Sequence, residues 1–311
     1  MLKIIKKKQR SFYNYVETSI FVLLVIVCLN SFAQQNHGPS IVGKIIIHNV
    51  IEGESLYDIA RNYDVGIEEL IYTNLKVDPW IPGVGVPIII PTMHILPHIK
   101  CESIVINKAE LRLYYFTGNS KYCNPKYTLT FPISIGGPQH RTPMGITYIT
   151  KKKKNPFWIP PSSVKAENPN LPGLVPPGDN NPLGEYAIYL GWPEILIHGT
   201  NKPWGIGTDN THGCISMYPE DIKMLFGKVK IGTTVQVIDQ QIKIAWFNDK
   251  LYIELSPTQE QKAQLHSFGK VLVSPEIYRI KKSILSHHKN INEFELNTAL
   301  QNFQGIPIKL N

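Results

Sequence analysis

Apolar residues follow several different rhythms along the chain, and each predicts a different kind of element. Ile20 to Leu29 is an unbroken apolar run behind a basic start. Further on, Lys44 to Val50 reads as a strand and Glu52-Gly53-Glu54 as a turn. Ser55, with an acid three positions on at Asp58, reads as the capped start of a helix. Leu56, Ile59 and Ala60 recur on one helical face. Gly66 separates a second short helix carrying Ile67, Leu70 and Ile71. After Asn74 and a Pro/Gly loop, Val86 to Ile90 closes as a strand ended by Pro91. Residues 44–92 are therefore predicted as a small βααβ unit.

Residues 100–239 read as mainly β. Ser103 to Asn107 and Leu111 to Phe116 predict a hairpin with Asn107 and Lys108 in the turn. Further strands are predicted at Tyr127 to Ile135, Gly145 to Thr150, Tyr186 to Leu190, Ile195 to His198 and, last, within Lys230 to Asp239. Pro219 to Phe226 predicts a short helix, with Pro219 suited to its first turn and Glu220 and Asp221 favourable at its positive end. Asn155 to Pro182 is dense in Pro, Asn and Gly and has no period, which predicts a long irregular segment of a kind that usually carries function. Residues 240–311 are predicted as an extension packed on the preceding domain, with a hairpin at Lys243 to Glu254 around Asn248-Asp249 and a helix near Asn292 to Asn302.

Composition changes this picture mainly at the N-terminus. The 22 Gly and 24 Pro fall mostly between residues 79 and 191, in keeping with turn-rich β structure rather than helix bundles. The formal charge of +8 is unevenly spread, because Lys3, Lys6, Lys7, Lys8 and Arg10 crowd the start. With the short apolar run and small residues at Ser31 and Ala33, residues 1–33 read as a cleavable signal peptide cut after Ala33. The run is well below the ~20 residues that a membrane span needs, and no second stretch is long enough. Removing the segment takes away about +4, so the exported chain is only mildly basic. No basic stripe with interleaved aromatics remains, which excludes a nucleic-acid partner.

The cysteines sort by position. Cys28 leaves with the signal, and Val27 before it is too bulky for a lipoprotein cleavage site. Cys101 and Cys123 flank the hairpin and either pair in an oxidising compartment or stay reduced. Cys214 is then the odd thiol, and it sits in the most informative stretch of the chain: His198-Gly199-Thr200, Gly205, Gly207, then Thr211-His212-Gly213-Cys214-Ile215.

Acyl transfer by a thiol needs a base, since a free thiol has a pKa near ~8.5, donors for the oxyanion, and an open approach. His198 ends an apolar strand and can be the base, and Gly199 after it leaves the backbone uncrowded, so that a main-chain carbonyl can orient the ring. Gly213 leaves the backbone N–H groups of Gly213 and Cys214 uncovered, and Thr211 and His212 supply further polar groups. In extended backbone His212 and Cys214 would share a face. Cysteine with two histidines also suits a metal site, although no second cysteine or clustered carboxylate lies nearby in sequence, and a structural cysteine is the remaining reading.

The motif from His198-Gly199-Thr200 to Thr211-His212-Gly213-Cys214-Ile215, followed by Tyr218, Asp221, Leu225, Val229 and Gly232-Thr233, resembles the YkuD-type L,D-transpeptidase signature. Val50-Ile51-Glu52-Gly53-Glu54-Ser55-Leu56-Tyr57-Asp58-Ile59-Ala60, with Tyr63-Asp64-Val65, Glu68-Glu69-Leu70, Asn74 and Pro87 to Pro91, resembles a LysM domain. Together they make the mature chain similar to the ErfK/YbiS group of Gram-negative bacteria. The resemblance implies a mainly β fold: a YkuD-type β-sandwich catalytic domain over 100–239, a LysM-like glycan-binding domain over 44–92, and the C-terminal extension.

It further implies a periplasmic enzyme of peptidoglycan. Cys214 is the implied nucleophile and His198 the proton donor and acceptor, with His212, Gly213, Thr211 and Gly199 as support and no cofactor or metal. The family usually places Arg two residues after the cysteine, where this chain has Ser216. Arg141 or Lys151 to Lys154 is the candidate replacement, the bland reading of the lysines being a solvated strand end. Ser216, Trp158 and Arg141 are the candidate substrate contacts. The implied reaction acylates Cys214 with the diaminopimelate carbonyl of a stem tetrapeptide, then transfers it to a second stem (a 3–3 cross-link) or to a lipoprotein lysine. A hydrolase using the same residues, and a non-catalytic wall-binding protein, are the competing readings.

Overall fold

The computed structural model describes residues 41–99, 103–117 and 125–311. The predicted signal peptide with Cys28, and Cys101 and Cys123 with their pairing, lie outside the described residues.

The first unit contains β1 (Ile41–Val42), β2 (Ile46–Asn49), α1 (Leu56–Asn62), α2 (Ile67–Thr73), β3 (Pro87–Ile90) and β4 (His94–Ile95). β2 pairs antiparallel with β3, which gives the predicted βααβ arrangement. Ser55 caps α1 as its spacing predicts, exchanging hydrogen bonds with Asp58 in a capping box. Leu56, Ile59, Ala60, Leu70, Ile88 and Ile90 form the unit's own core. Ile71 of α2 packs half-buried against this core, and the neighbouring Tyr72 is buried in the core of the C-terminal extension.

The central sheet is built from β5 (Ile104–Asn107), β6 (Arg112–Phe116), β7 (Thr128–Pro132), β8 (Gly145–Lys154), β9 (Tyr186–Leu190), β10 (Leu196–His198), β11 (Ile215–Ser216) and β12 (Thr234–Ile238). Between β8 and β9 lies α3 (Ser162–Glu167), and between β11 and β12 lies α4 (Pro219–Lys228). The strand order is β11-β10-β9-β8-β12-β5-β6-β7. Its two outer strands meet again, because Ser134, just beyond β7, exchanges two 2.9 Å backbone hydrogen bonds with Ser216 on β11. The sheet therefore curls on itself around one apolar interior, in which Ile104, Ile106, Phe131, Ile149, Ile188, Ile197, Ile215 and Val235 meet Ile222 and Leu225 of α4. Each such side chain, fully buried, stabilises the fold by roughly 1.5–3 kcal/mol. The stretch from Asn155 to Pro182, predicted as irregular, contains α3 and a Trp158–Val175 bridge. α3 is too short for its apolar residues to show a helical period.

The extension consists of β13 (Ile242–Phe247), β14 (Lys250–Leu255), α5 (Gln259–Phe268), α6 (Pro275–His287), α7 (Glu293–Asn302) and β15 (Ile308–Lys309). Asn248 and Asp249 both adopt positive φ, 49° and 58°, as a two-residue hairpin turn requires. Asn292 caps α7 through its side chain. The extension packs on more than the preceding domain, for its core takes in Tyr72 of α2 and Lys262 pairs with Glu68.

Buried charges tie the three parts together. Lys243 on β13 is fully buried, donates to the Ile95 carbonyl at 2.7 Å and to the Tyr114 hydroxyl at 3.2 Å, and pairs with Glu254 at 3.0 Å and with Glu110. Glu254 also meets His94 Nδ1 at 3.2 Å. Arg112 on β6 reaches Glu69 of α2 at 2.7 Å. No described helix is long and apolar enough to cross a membrane.

Candidate active site

β10 and β11 run parallel, with Ile197 opposite Ile215 and His198 opposite Ser216. Ile197 and Ile215 enter the apolar interior, so strand alternation directs His198 and Ser216 away from it. Cys214 immediately precedes β11 and is half-buried. Its thiol donates to the Glu194 carbonyl at 3.3 Å, in the turn that leads into β10. Nucleophile candidate and base candidate therefore stand on neighbouring strands held by one ladder.

His198 is buried, and its Nδ1 lies 2.6 Å from the Gly199 carbonyl. A carbonyl can only accept, so Nδ1 carries the ring proton and Nε2 is left as the basic nitrogen. A main-chain carbonyl orients the ring, and it is that of Gly199 itself. Burial pushes His198 down to about 4, against an upward pull from the Gly199 hydrogen bond. Burial also pushes the Cys214 thiol up from its ordinary value. Both shifts favour the neutral forms, thiol and imidazole, over an ion pair.

The depressed His198 value has a consequence for stability. Between pH 6.5 and about 4 the unfolded ring binds a proton that the folded ring refuses. The contribution is complete above pH 6.5 and is lost as pH falls toward 4. At ~1.4 kcal/mol per pKa unit it reaches on the order of 3 kcal/mol. Urea denaturation at stepped pH should show wild type losing more stability than His198→Gln across this window. Parallel curves would contradict the assignment.

The Thr211 to Cys214 loop is shaped by glycine. Gly213 has φ +102°, and a Cβ there would stand 3.2 Å from Ile195 Cδ1. A side chain is disfavoured on both counts. The same turn overturns one expectation: residues 212–214 are not extended, and His212 and Cys214 do not share a face. Thr211 serves the loop itself, its hydroxyl donating to the Cys214 carbonyl at 2.6 Å. Thr142 donates to the Gly213 carbonyl at 2.9 Å from the other side. The N–H groups of Gly213 and Cys214 donate to no protein acceptor among the described residues, as an oxyanion pocket requires. Gly207 has a different role. Its Cα side abuts Gly66, where a Cβ would lie 2.3 Å from the Gly66 Cα, and Ile67 N–H bonds the Ile206 carbonyl at 3.1 Å. The βααβ unit is docked there on the loop that leads to Thr211.

His212 turns to a group that sequence reasoning missed. Its Nε2 lies 3.0 Å from Glu167 Oε2, and His140 Nε2 lies 3.1 Å from Glu167 Oε1. The two imidazoles hold the Glu167 carboxyl below the usual carboxylate range through these hydrogen bonds. Glu167 ends α3, so this contact anchors the 155–182 segment beside the thiol loop. With 27 and 45 residues separating the partners, no local spacing could have announced it.

The remaining candidates are spread out. Ser216 is buried at the Ser134 seam, which leaves it little surface for a substrate. Trp158 lines a cleft with Leu171, Pro172, Asn201 and Lys202, just beyond the His198-Gly199 turn. Arg141 is exposed between His140 and Thr142, next to the thiol loop. Lys152 donates to the Phe226 and Val229 carbonyls, satisfying the C-terminal end of α4, and Lys151 and Lys154 lie over the rings of Tyr189 and Tyr186. Lys152 is thus bonded rather than solvated, while Lys151, Lys153 and Lys154 are exposed at the strand end.

A curled sheet that brings a cysteine and a buried histidine to adjacent strand ends has the groups that cysteine acyl transfer needs. Residues 102–237 match the family model described as YkuD, L,D-transpeptidase catalytic domain. The chain is 36% identical over 286 residues to "Probable L,D-transpeptidase YbiS" of Escherichia coli K12, covering 88% of this chain and 90% of that one. It is 32% identical to "Probable L,D-transpeptidase ErfK/SrfK" of Salmonella typhimurium, over 94% and 95% of the two chains. The chain belongs to the L,D-transpeptidase family. A solved catalytic domain of the E. faecium L,D-transpeptidase is similar at 23% identity, over 46% of this chain and 100% of that chain, with a TM-score of 0.35. The family assignment rests on the sequence matches.

Proposed function

We propose that the chain is an exported, periplasmic cysteine L,D-transpeptidase acting on peptidoglycan stem peptides. The observation that carries this reading is His198, fixed through Nδ1 on the Gly199 carbonyl with Nε2 left basic, on the strand beside Cys214. Nε2 takes the thiol proton as Sγ attacks the diaminopimelate carbonyl of a tetrapeptide. The N–H groups of Gly213 and Cys214 hold the oxyanion. Collapse of the tetrahedral intermediate breaks the bond to the terminal D-Ala, whose amine leaves with the His198 proton. An acceptor amine then attacks the thioester, loses a proton to His198 and restores the thiol. The acceptor is a second stem peptide or a lipoprotein lysine. Water in its place gives a carboxypeptidase.

The 155–182 segment, anchored through Glu167, shields the thioester from water, and Arg141 supplies the positive charge that Ser216 cannot. The βααβ unit binds wall glycan. In support, it exposes Ile51, Trp80, Ile81 and Val84, with Trp80 stacked on Tyr57 at 4.3 Å, which is a surface that sugar faces can stack on. Incubation of the purified chain with disaccharide-tetrapeptide, with products read by mass spectrometry, tests the proposal. A cross-linked dimer is expected. Tripeptide alone would indicate hydrolysis, and unchanged tetrapeptide would overturn the enzymatic reading in favour of a wall-binding protein.

A further inference from the structure

His140, Glu167 and His212 come from three separate segments and bring one ligand atom each to within 4.8 Å of one another. Each imidazole turns Nε2, the nitrogen best placed to ligate, onto a different oxygen of the same carboxylate, at 3.1 and 3.0 Å. Ligand atoms held about 2.0–2.2 Å from a tetrahedral zinc ion lie roughly 3.3 Å apart. The two imidazole–carboxylate separations are therefore already close to the spacing of a coordination shell.

Both histidines are fixed by their backbones. His140 N–H bonds the Gly137 carbonyl at 3.0 Å. Thr211, beside His212, is held on the Ile135 carbonyl at 2.9 Å and accepts from Gly137 N–H at 3.0 Å. The rings lie together, their centroids 4.5 Å apart. All three side chains keep solvent access, 30%, 56% and 30% for His140, Glu167 and His212, so an ion can enter. The histidines are part of the rigid sheet end, whereas Glu167 belongs to the covering segment.

We propose that His140, His212 and Glu167 form a binding site for a divalent transition-metal ion of the zinc class, with a fourth position open to water. This set differs from the Cys214, His198 and His212 combination considered from sequence spacing, and it leaves the thiol free. Two imidazoles and one carboxylate are the donor set that zinc takes in many open, three-ligand sites. Bound metal locks the end of α3 onto His212, two residues from Cys214, and restrains the 155–182 segment over the thiol loop.

The test is zinc titration of the full chain by calorimetry, with hydrogen exchange of the 155–182 segment measured in parallel. One zinc per chain is expected, with exchange slowed in that segment. Affinity should fall at least about tenfold in His140→Ala and in Glu167→Gln, and stay within about twofold in Cys214→Ser. Because the readout is binding, it is independent of whether the enzyme turns over. No saturable binding by the wild type would overturn the proposal. So would binding that survives both ligand substitutions, or binding that vanishes in Cys214→Ser, as for an ion held on the thiol.

Discussion

Cys214→Ala should lower turnover of a stem tetrapeptide by at least about a thousand-fold while moving folding stability by less than about 1 kcal/mol. The two halves of this expectation have separate physical causes. The thiol is half-buried and its hydrogen bonds are to backbone groups, the Glu194 carbonyl and Leu196 N–H, so little packing depends on it. The reaction, in contrast, has no second nucleophile to fall back on. Cys214 is the only cysteine among the described residues, and neither Thr211, whose hydroxyl is occupied by the Cys214 carbonyl, nor the buried Ser216 can replace it. His198→Gln should cost on the order of a hundredfold or more, because burial raises the thiol pKa and an unassisted thiol there stays protonated. Steady-state rates alongside urea denaturation of both variants check this. An active Cys214→Ala protein would contradict it outright.

The largest effect on stability is expected far from the thiol. Lys243→Ala should destabilise the fold by about 3–5 kcal/mol, a large share of the ~5–15 kcal/mol that a domain typically has. Lys243 is fully buried between Glu110 and Glu254, and its loss leaves two carboxylates without their cation in a buried junction. Burial already pushes Glu254 upward against the pull of Lys243. Neutralising the set together, with Lys243→Met, Glu254→Gln and Glu110→Gln, should recover most of the loss, since paired desolvation costs disappear with the charges. Urea midpoints of the single and triple variants measure it. A Lys243→Ala midpoint equal to that of wild type would show that the junction does not hold the extension to the sheet.

These two sites also mark the limit of what could be read from the sequence. The capping box at Ser55 and Asp58, the Asn248-Asp249 turn and the Pro219 start of α4 are local devices, and each sits where its spacing predicts. A main-chain partner for the His198 ring was legible from the uncrowded backbone at Gly199, but not that the carbonyl is Gly199's own. What escaped depends on distance along the chain. Glu69 to Arg112, His94 to Glu254 and Glu167 to His212 join residues 43, 160 and 45 apart. α5 escaped because Leu265 is its one buried residue, too little to show a period, whereas α6 carries Ile277, Ile280 and Ile284 at helical spacing behind Ser274 and Pro275, a legible signal that sequence reasoning missed. The shared face expected for His212 and Cys214 failed on one dihedral, the +102° φ of Gly213. A glycine can be read from sequence. The turn it makes cannot.

On the proposed mechanism the acyl group passes through Cys214, and peptide mapping of the chain quenched during turnover of disaccharide-tetrapeptide measures this most directly. A thioester-linked disaccharide-tripeptide is expected on the peptide containing Cys214, removed by neutral hydroxylamine and absent from Cys214→Ala. An adduct on any other residue, or continued turnover with no adduct in wild type and undiminished activity in Cys214→Ala, would contradict it.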